Sequence, residues 1–129
     1  MDLSRLLWIC FGGAVGTGAR YGLSAVLTLR YGTGFPWGTR AVNVIGSFLL
    51  GVILRIGTTT ELLSPTLLLA LTTGVMGGFT TYSTFNYETL RFLQERAWKL
   101  GLAYVAATLL GCLVAGALGV AMGARMFPR

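Results

Sequence analysis

Four long apolar runs divide the chain, separated by short polar segments. The first spans Leu6 to Leu29 and contains one charge, Arg20. The second covers Phe35 to Leu54, with Arg40 in its first turn. The third, Leu62 to Tyr87, and the fourth, Gly101 to Ala124, carry no charge. A helix needs about 20 residues to cross the hydrocarbon core of a bilayer. The pattern therefore predicts an all-α membrane protein with four transmembrane helices, at about 4–29, 35–56, 62–94 and 98–125. These form a single domain over 1–129, with no room for a soluble domain or linker. Arg30–Gly34, Gly57–Glu61 and a basic turn near Glu95–Lys99 connect the runs. Pro36 and Trp37 suit a first-turn proline and an interfacial aromatic anchor. The first run has no cleavage site followed by a soluble domain, so it does not read as a signal peptide.

The third run departs from a plain crossing. Between Thr72 and Thr84 it holds three glycines and six Ser or Thr residues, all near mid-membrane. The paired Gly77–Gly78, followed by β-branched Thr80–Thr81, is poor helix material. A break near 75–81 is therefore expected. Interrupted backbone at that depth survives only where it faces protein, water or an ion, and freed carbonyls at such breaks are recurring cation sites. A tightly packed Gly-rich crossing, with Thr hydroxyls bonded to the preceding turn, explains the same residues.

Composition and charge sharpen the picture. Apolar residues make up 54% and charged residues 11%, less than half the share of a soluble domain. The 19 glycines suit helices whose backbones approach closely. The formal net charge of +6 sits mostly at the ends of apolar runs, which points to lipid headgroups rather than nucleic acid. With four crossings, Arg5, Arg55, Arg125 and Arg129 share one side, against Arg30, Arg40, Arg91, Arg96 and Lys99 on the other. Four against five is a weak topological bias under the positive-inside rule, which suggests insertion both ways and an antiparallel dimer. There is no His, so His-based proton relays and zinc sites are excluded. Cys10 and Cys112 lie inside apolar runs and read as small hydrophobes. No nucleotide motif, metal-ligand cluster or nucleophile–base pair is visible, and the chain is not expected to be an enzyme.

Polar residues inside apolar runs are the candidate functional groups. Asn43, between Val42 and Val44, carries an amide that needs partners and can donate to an anion. Arg20 would be costly unpaired. Glu88 is the one acid near an apolar span, so an Arg20–Glu88 pair is one possibility. Tyr104, Thr108 and Cys112 recur every four residues and share a helix face.

Gly77-Gly78-Phe79-Thr80-Thr81-Tyr82-Ser83-Thr84-Phe85 resembles the GGxTTFSTF signature of the Fluc (CrcB-type) fluoride channels. Gly12-Gly13, Gly16, Arg20 and Tyr21 resemble that family's first-helix GGxxGxxxRY pattern, and Asn43 with Gly46 its second-helix Asn motif. The resemblance covers essentially the whole chain. It implies an antiparallel, dual-topology homodimer in the cell inner (plasma) membrane, passively exporting cytoplasmic fluoride. It also implies a structural Na⁺ on the dimer axis, held by backbone carbonyls that map to Gly77 and Thr80. The family's pore Asn maps to Asn43 and its two pore phenylalanines to Tyr82 and Phe85. Its polar track maps to Ser83, Thr84, Tyr104 and Thr108, with Cys112 where a small hydroxyl residue is expected. Arg20 and Glu88 take structural roles. Tyr82 departs from the commoner Phe and adds a hydroxyl donor to a ring edge.

Two other classes compete. A small multidrug-resistance-type proton-coupled exporter has similar length but needs a carboxylate in its first helix, and run one has none. An accessory subunit with packing roles explains the glycines but not the polar run at Thr80–Thr84.

Overall fold

The computed structural model describes residues 2–128, which leaves Arg129 of the charge tally outside the described residues. Among these residues all regular structure is helical. Helix α1 (Leu3–Tyr31) opens with the Asp2 carboxylate accepting from the Ser4 N–H at 3.0 Å. It closes at Gly32, whose φ of 76° favours glycine. Helix α2 runs Trp37–Thr59, with Pro36 as its N-cap rather than its first residue. The third crossing begins with α3 (Pro65–Leu69), where the Ser64 hydroxyl accepts from the Leu67 N–H and Pro65 starts the turn. It continues as a π-helical segment (Ala70–Met76), a short α4 (Gly77–Phe79) and, after two extended residues, α5 (Tyr82–Gln94). Helix α6 covers Trp98–Met126.

Helices α2 and α6 are long and apolar enough to cross a membrane by length and composition alone. Helix α1 is as long as α6, at 29 residues each, but Arg20 and its glycines dilute its apolar character. The third crossing is cut into pieces, the longest of 13 residues, so it reaches membrane length only as a composite. Leu7, Phe11 and Val15 on α1, and Leu102, Leu109, Leu113 and Leu118 on α6, are exposed. Such an apolar exterior suits lipid rather than water.

The interruption falls at Thr80 (φ −85°, ψ 159°) and Thr81 (φ −152°, ψ 113°). The paired glycines expected to break the helix are themselves helical, Gly77 having φ −62° and ψ −38°. The physical reason is packing. A Cβ on Gly78 would collide with the Gly13 carbonyl, and one on Gly74 would come within 2.7 Å of the Ile9 carbonyl. These glycines let the third crossing lie against α1, and the chain breaks at the threonines that follow.

The break also changes the partner of the third crossing. Before it, the π segment and α4 pack on α1; after it, α5 packs on α6. Helices α2 and α6 form the most extensive pair, where a Cβ on Gly51 would sit 2.6 Å from the Gly116 carbonyl. Two apolar clusters follow this division. Val42, Met76 and Phe79 form one on the near side of the break. Phe85, Phe92 and Tyr104 form the other beyond it.

Close α1 contact makes a sharp prediction. A Cβ on Gly16 would strike the Val75 carbonyl and lie 2.9 Å from the Phe79 nitrogen, whereas one on Gly18 meets nothing within 4 Å. Overpacking of this kind costs about 1–3 kcal/mol. Gly16→Ala is expected to lower the thermal midpoint of the detergent-solubilised protein, and Gly18→Ala to leave it unchanged.

Candidate functional site

Two extended residues in the middle of a crossing leave backbone groups that the helical ladder no longer serves. Asn43, one turn beyond Thr39 on α2, serves both groups of Thr81. Its Nδ2 donates to the Thr81 carbonyl at 3.0 Å, and its Oδ1 accepts from the Thr81 N–H at 2.8 Å. The Thr81 N–H thus turns away from Gly77, four residues earlier, and the Gly77 carbonyl loses its helical donor. The neighbouring Thr80 carbonyl accepts from Arg20 Nη1 at 3.3 Å. Thr81 then caps α5, its hydroxyl accepting from the Thr84 N–H and donating to the Thr84 hydroxyl at 3.0 Å.

Clefts with polar side chains in largely apolar walls lie on two sides of this junction, and Thr81 borders both. One, of about 400 Å³, is walled by Arg20, Ser24, Thr28, Thr39, Thr84 and Glu88. The other, of about 290 Å³, is walled by Asn43, Ser47, Tyr82, Phe85, Thr108 and Cys112. In the second, Thr108 Oγ1 is buried without a hydrogen-bond partner among the described residues. Asn43 uses one amide hydrogen on Thr81 and keeps the second uncommitted. Tyr82 is 76% exposed, with its ring tilted against Phe85 at 5.9 Å.

Glu88 does not pair with Arg20. Its two carboxylate oxygens accept instead from the Thr39 hydroxyl at 2.9 Å and the Tyr104 hydroxyl at 2.6 Å. Short charge-assisted bonds of this kind are strong. Tyr104 is fully buried, enclosed by Phe35, Phe85 and Phe92 at ring separations of 5.4, 5.2 and 5.8 Å. Its hydroxyl is therefore committed, and the stripe Tyr104–Thr108–Cys112 divides between Glu88 and the second cleft. Ser83 borders neither cleft; it is exposed beside Thr81, at 3.4 Å between hydroxyls.

Asn43, Tyr82, Phe85 and Thr108 are thus brought together in one cleft, and Arg20, Thr84 and Glu88 in the other. Sequence reasoning missed Thr39 and the polar edge of α1. The signal was present: Thr17, Ser24 and Thr28 lie at helical spacing around Arg20 and face the larger cleft.

An interrupted crossing flanked by clefts that carry hydroxyl, amide and charged groups, inside a bundle with an apolar exterior, is the architecture of a membrane protein that handles small polar or ionic species. Comparison with known proteins makes the assignment particular. Residues 7–120 match the model of the family described as CrcB-like protein, Camphor Resistance (CrcB), and the chain belongs to that family. It is 60% identical over 124 residues to the fluoride-specific ion channel FluC of Sorangium cellulosum (strain So ce56), covering 96% of this chain and 98% of the relative. It is 51% identical to the FluC of Anaeromyxobacter sp. (strain K), over 88% of this chain and 90% of the relative. The FluC of Geobacter sulfurreducens is 45% identical, over 95% and 98% respectively.

The Asn43–Thr81 pairing has a measurable weight. Asn43→Ala leaves both Thr81 backbone groups without partners, each worth about 1–3 kcal/mol when buried. The variant is expected to unfold at a lower temperature than wild type in detergent. Ser47→Ala, which removes only a bond back to the Asn43 carbonyl at 2.7 Å, should change the midpoint far less.

Proposed function

We propose that the chain is a fluoride-selective, passive ion channel rather than an enzyme. The single observation that carries the reading is the lining of the smaller cleft. A partnerless Thr108 hydroxyl, a spare Asn43 amide hydrogen and aromatic edges from Tyr82 and Phe85 converge there. The relatives' shared name supplies the ion.

Fluoride is small and strongly hydrated, so a selective path must replace its water with donors. Hydroxyls and amides donate, and aromatic edges are electropositive. None of these groups carries a full charge, which lets an ion leave as readily as it enters. Family membership and the wall of the cleft thus agree on an anion.

A second copy of the chain belongs to this reading. Gly77, Ser83 and Thr84 are exposed around the break, and interrupted backbone does not face lipid. An antiparallel homodimer, consistent with the near-balanced basic residues on the two sides, would cover this face. The same reading places a structural Na⁺ at the break. The Gly77 carbonyl fits it, having lost its helical donor, and the Thr80 carbonyl keeps one lone pair beside its bond from Arg20. Two carbonyls are too few for a hard cation, so the second copy would supply matching ligands. When bound, the ion would add fixed positive potential beside the anion path. Localisation in the inner (plasma) membrane and outward flow of cytoplasmic fluoride complete the proposal.

Efflux from fluoride-loaded liposomes, read with a fluoride electrode, tests it. Wild-type protein is expected to release fluoride and to retain chloride; equal release of both, or of neither, would refute it. Asn43→Asp exchanges the donor for a like charge and is expected to abolish release. Tyr82→Phe removes the hydroxyl and keeps the ring edge, so it is expected to slow release without stopping it.

A further inference from the structure

We propose that the outer groove between α2 and α6 binds the headgroup and upper acyl chain of an anionic phospholipid, with Arg40 as the headgroup ligand. The groove, of about 310 Å³, is lined by Trp37, Arg40, Ala41, Val44, Ile45 and Gly111. Arg40 supplies its only charge. It lies one turn into α2, which begins at Trp37, an aromatic of the type that anchors helices at the headgroup level.

Arg40 has no acidic neighbour to answer it. The ion pairs among the described residues are Arg5 with Asp2 and Arg91 with Glu95. Glu88, which bonds Thr39 beside Arg40 in sequence, is occupied by the Thr39 and Tyr104 hydroxyls. The Arg40 Nε is buried and lacks a hydrogen-bond partner. Its guanidinium stands 5.7 Å from the centre of the Trp37 ring, a contact that orients the group without neutralising it. A planar guanidinium in this state is suited to a phosphate.

Below that charge the groove turns apolar. Ala41, Val44 and Ile45 follow along α2, and Gly111 on α6 keeps the floor open. A Cβ there would come within 3.2 Å of Val44 Cγ2. Charge at the headgroup level above an apolar channel matches an anionic amphiphile. Neither a free anion nor a zwitterionic lipid answers both halves: one has no chain, and the other brings its own cation. The site lies apart from both clefts beside the break, with which it shares no lining residue.

Native mass spectrometry of the detergent-purified protein, titrated with phosphatidylglycerol or phosphatidylcholine of the same chains, tests the assignment. Wild type is expected to retain phosphatidylglycerol preferentially. Arg40→Gln should weaken that retention about fivefold or more, the effect of one interfacial cation on an anionic lipid, and leave phosphatidylcholine unchanged. Arg40→Lys keeps the charge and should retain most of the preference. Arg91→Gln, on the same side but already paired with Glu95, should behave as wild type. Equal retention of the two lipids by wild type would overturn the proposal even if a variant failed to fold. So would unchanged retention in Arg40→Gln, displacement by millimolar inorganic phosphate alone, or loss of a bound second copy in that variant, which would mark the groove as a subunit interface.

Discussion

The two hydrogen bonds between the Asn43 side chain and the Thr81 backbone are what permit an extended pair of residues in the middle of a crossing. A side-chain amide offers one donor and one acceptor in the same plane, as a neighbouring strand would. Asn43 therefore acts as a two-atom strand, satisfying at 3.0 and 2.8 Å the groups that the helix abandons. In hydrocarbon the alternative is severe, because an unsatisfied backbone group there costs several kcal/mol. Nothing apolar at position 43 could hold this conformation, and a longer Gln would misplace the plane.

The rest of the arrangement follows from that junction. Because the chain is interrupted, its first half can lie on the glycine face of α1 while its second half turns to α6. The turn brings Glu88 to Thr39 and Tyr104, joining α2, α5 and α6 through one carboxylate. It also frees the Gly77 carbonyl and draws Arg20 to Thr80. A half-buried cation and a half-buried anion thus border the same cleft, each with its own partners. Arg20 bonds the Thr80 carbonyl and Glu88 accepts from the Thr39 and Tyr104 hydroxyls, so each charge is held by polar partners without the other.

How much of this was legible follows from what each residue type reveals. The all-helical character and the broken third crossing could be read from apolar runs and from Gly and Thr at mid-bilayer, since both are consequences of composition and spacing. The expected range of 75–81 contains the break, but which residues within it leave the helix could not be read. Gly77 and Gly78 look like breakers by propensity, yet their missing side chains serve close helix packing, and tertiary contact overrides propensity. The π segment Ala70–Met76 carries no distinguishing period in sequence. Asn43 was legible as important because a lone amide in an apolar run demands partners, but its partner is backbone, which no side-chain pattern reveals. Thr39 was missed because a Thr in a helix is ordinarily satisfied by its own preceding turn; only the fold brings Glu88 to it.

The electrostatics of the junction reach the same conclusion as the donor inventory by a separate route. Helix α5 begins at Tyr82, so the positive end of its dipole, about half a charge, lies at the break. The Arg20 guanidinium adds a full charge 3.3 Å from the Thr80 carbonyl. Opposing them is Glu88, whose carboxylate is held by two hydroxyls at a point where α5 has already advanced by more than a turn. The negative end of the helical stretch that closes at Phe79 meets the α5 dipole at the break and largely cancels it, so the Arg20 guanidinium is the full charge bonded to the junction, while the smaller cleft presents only uncharged side chains. An anion entering the smaller cleft would meet donors but no full opposite charge in its wall to hold it there. Attraction supplied at a distance and solvation supplied by neutral groups is the combination that lets a strongly hydrated anion enter a low-dielectric interior and still leave it.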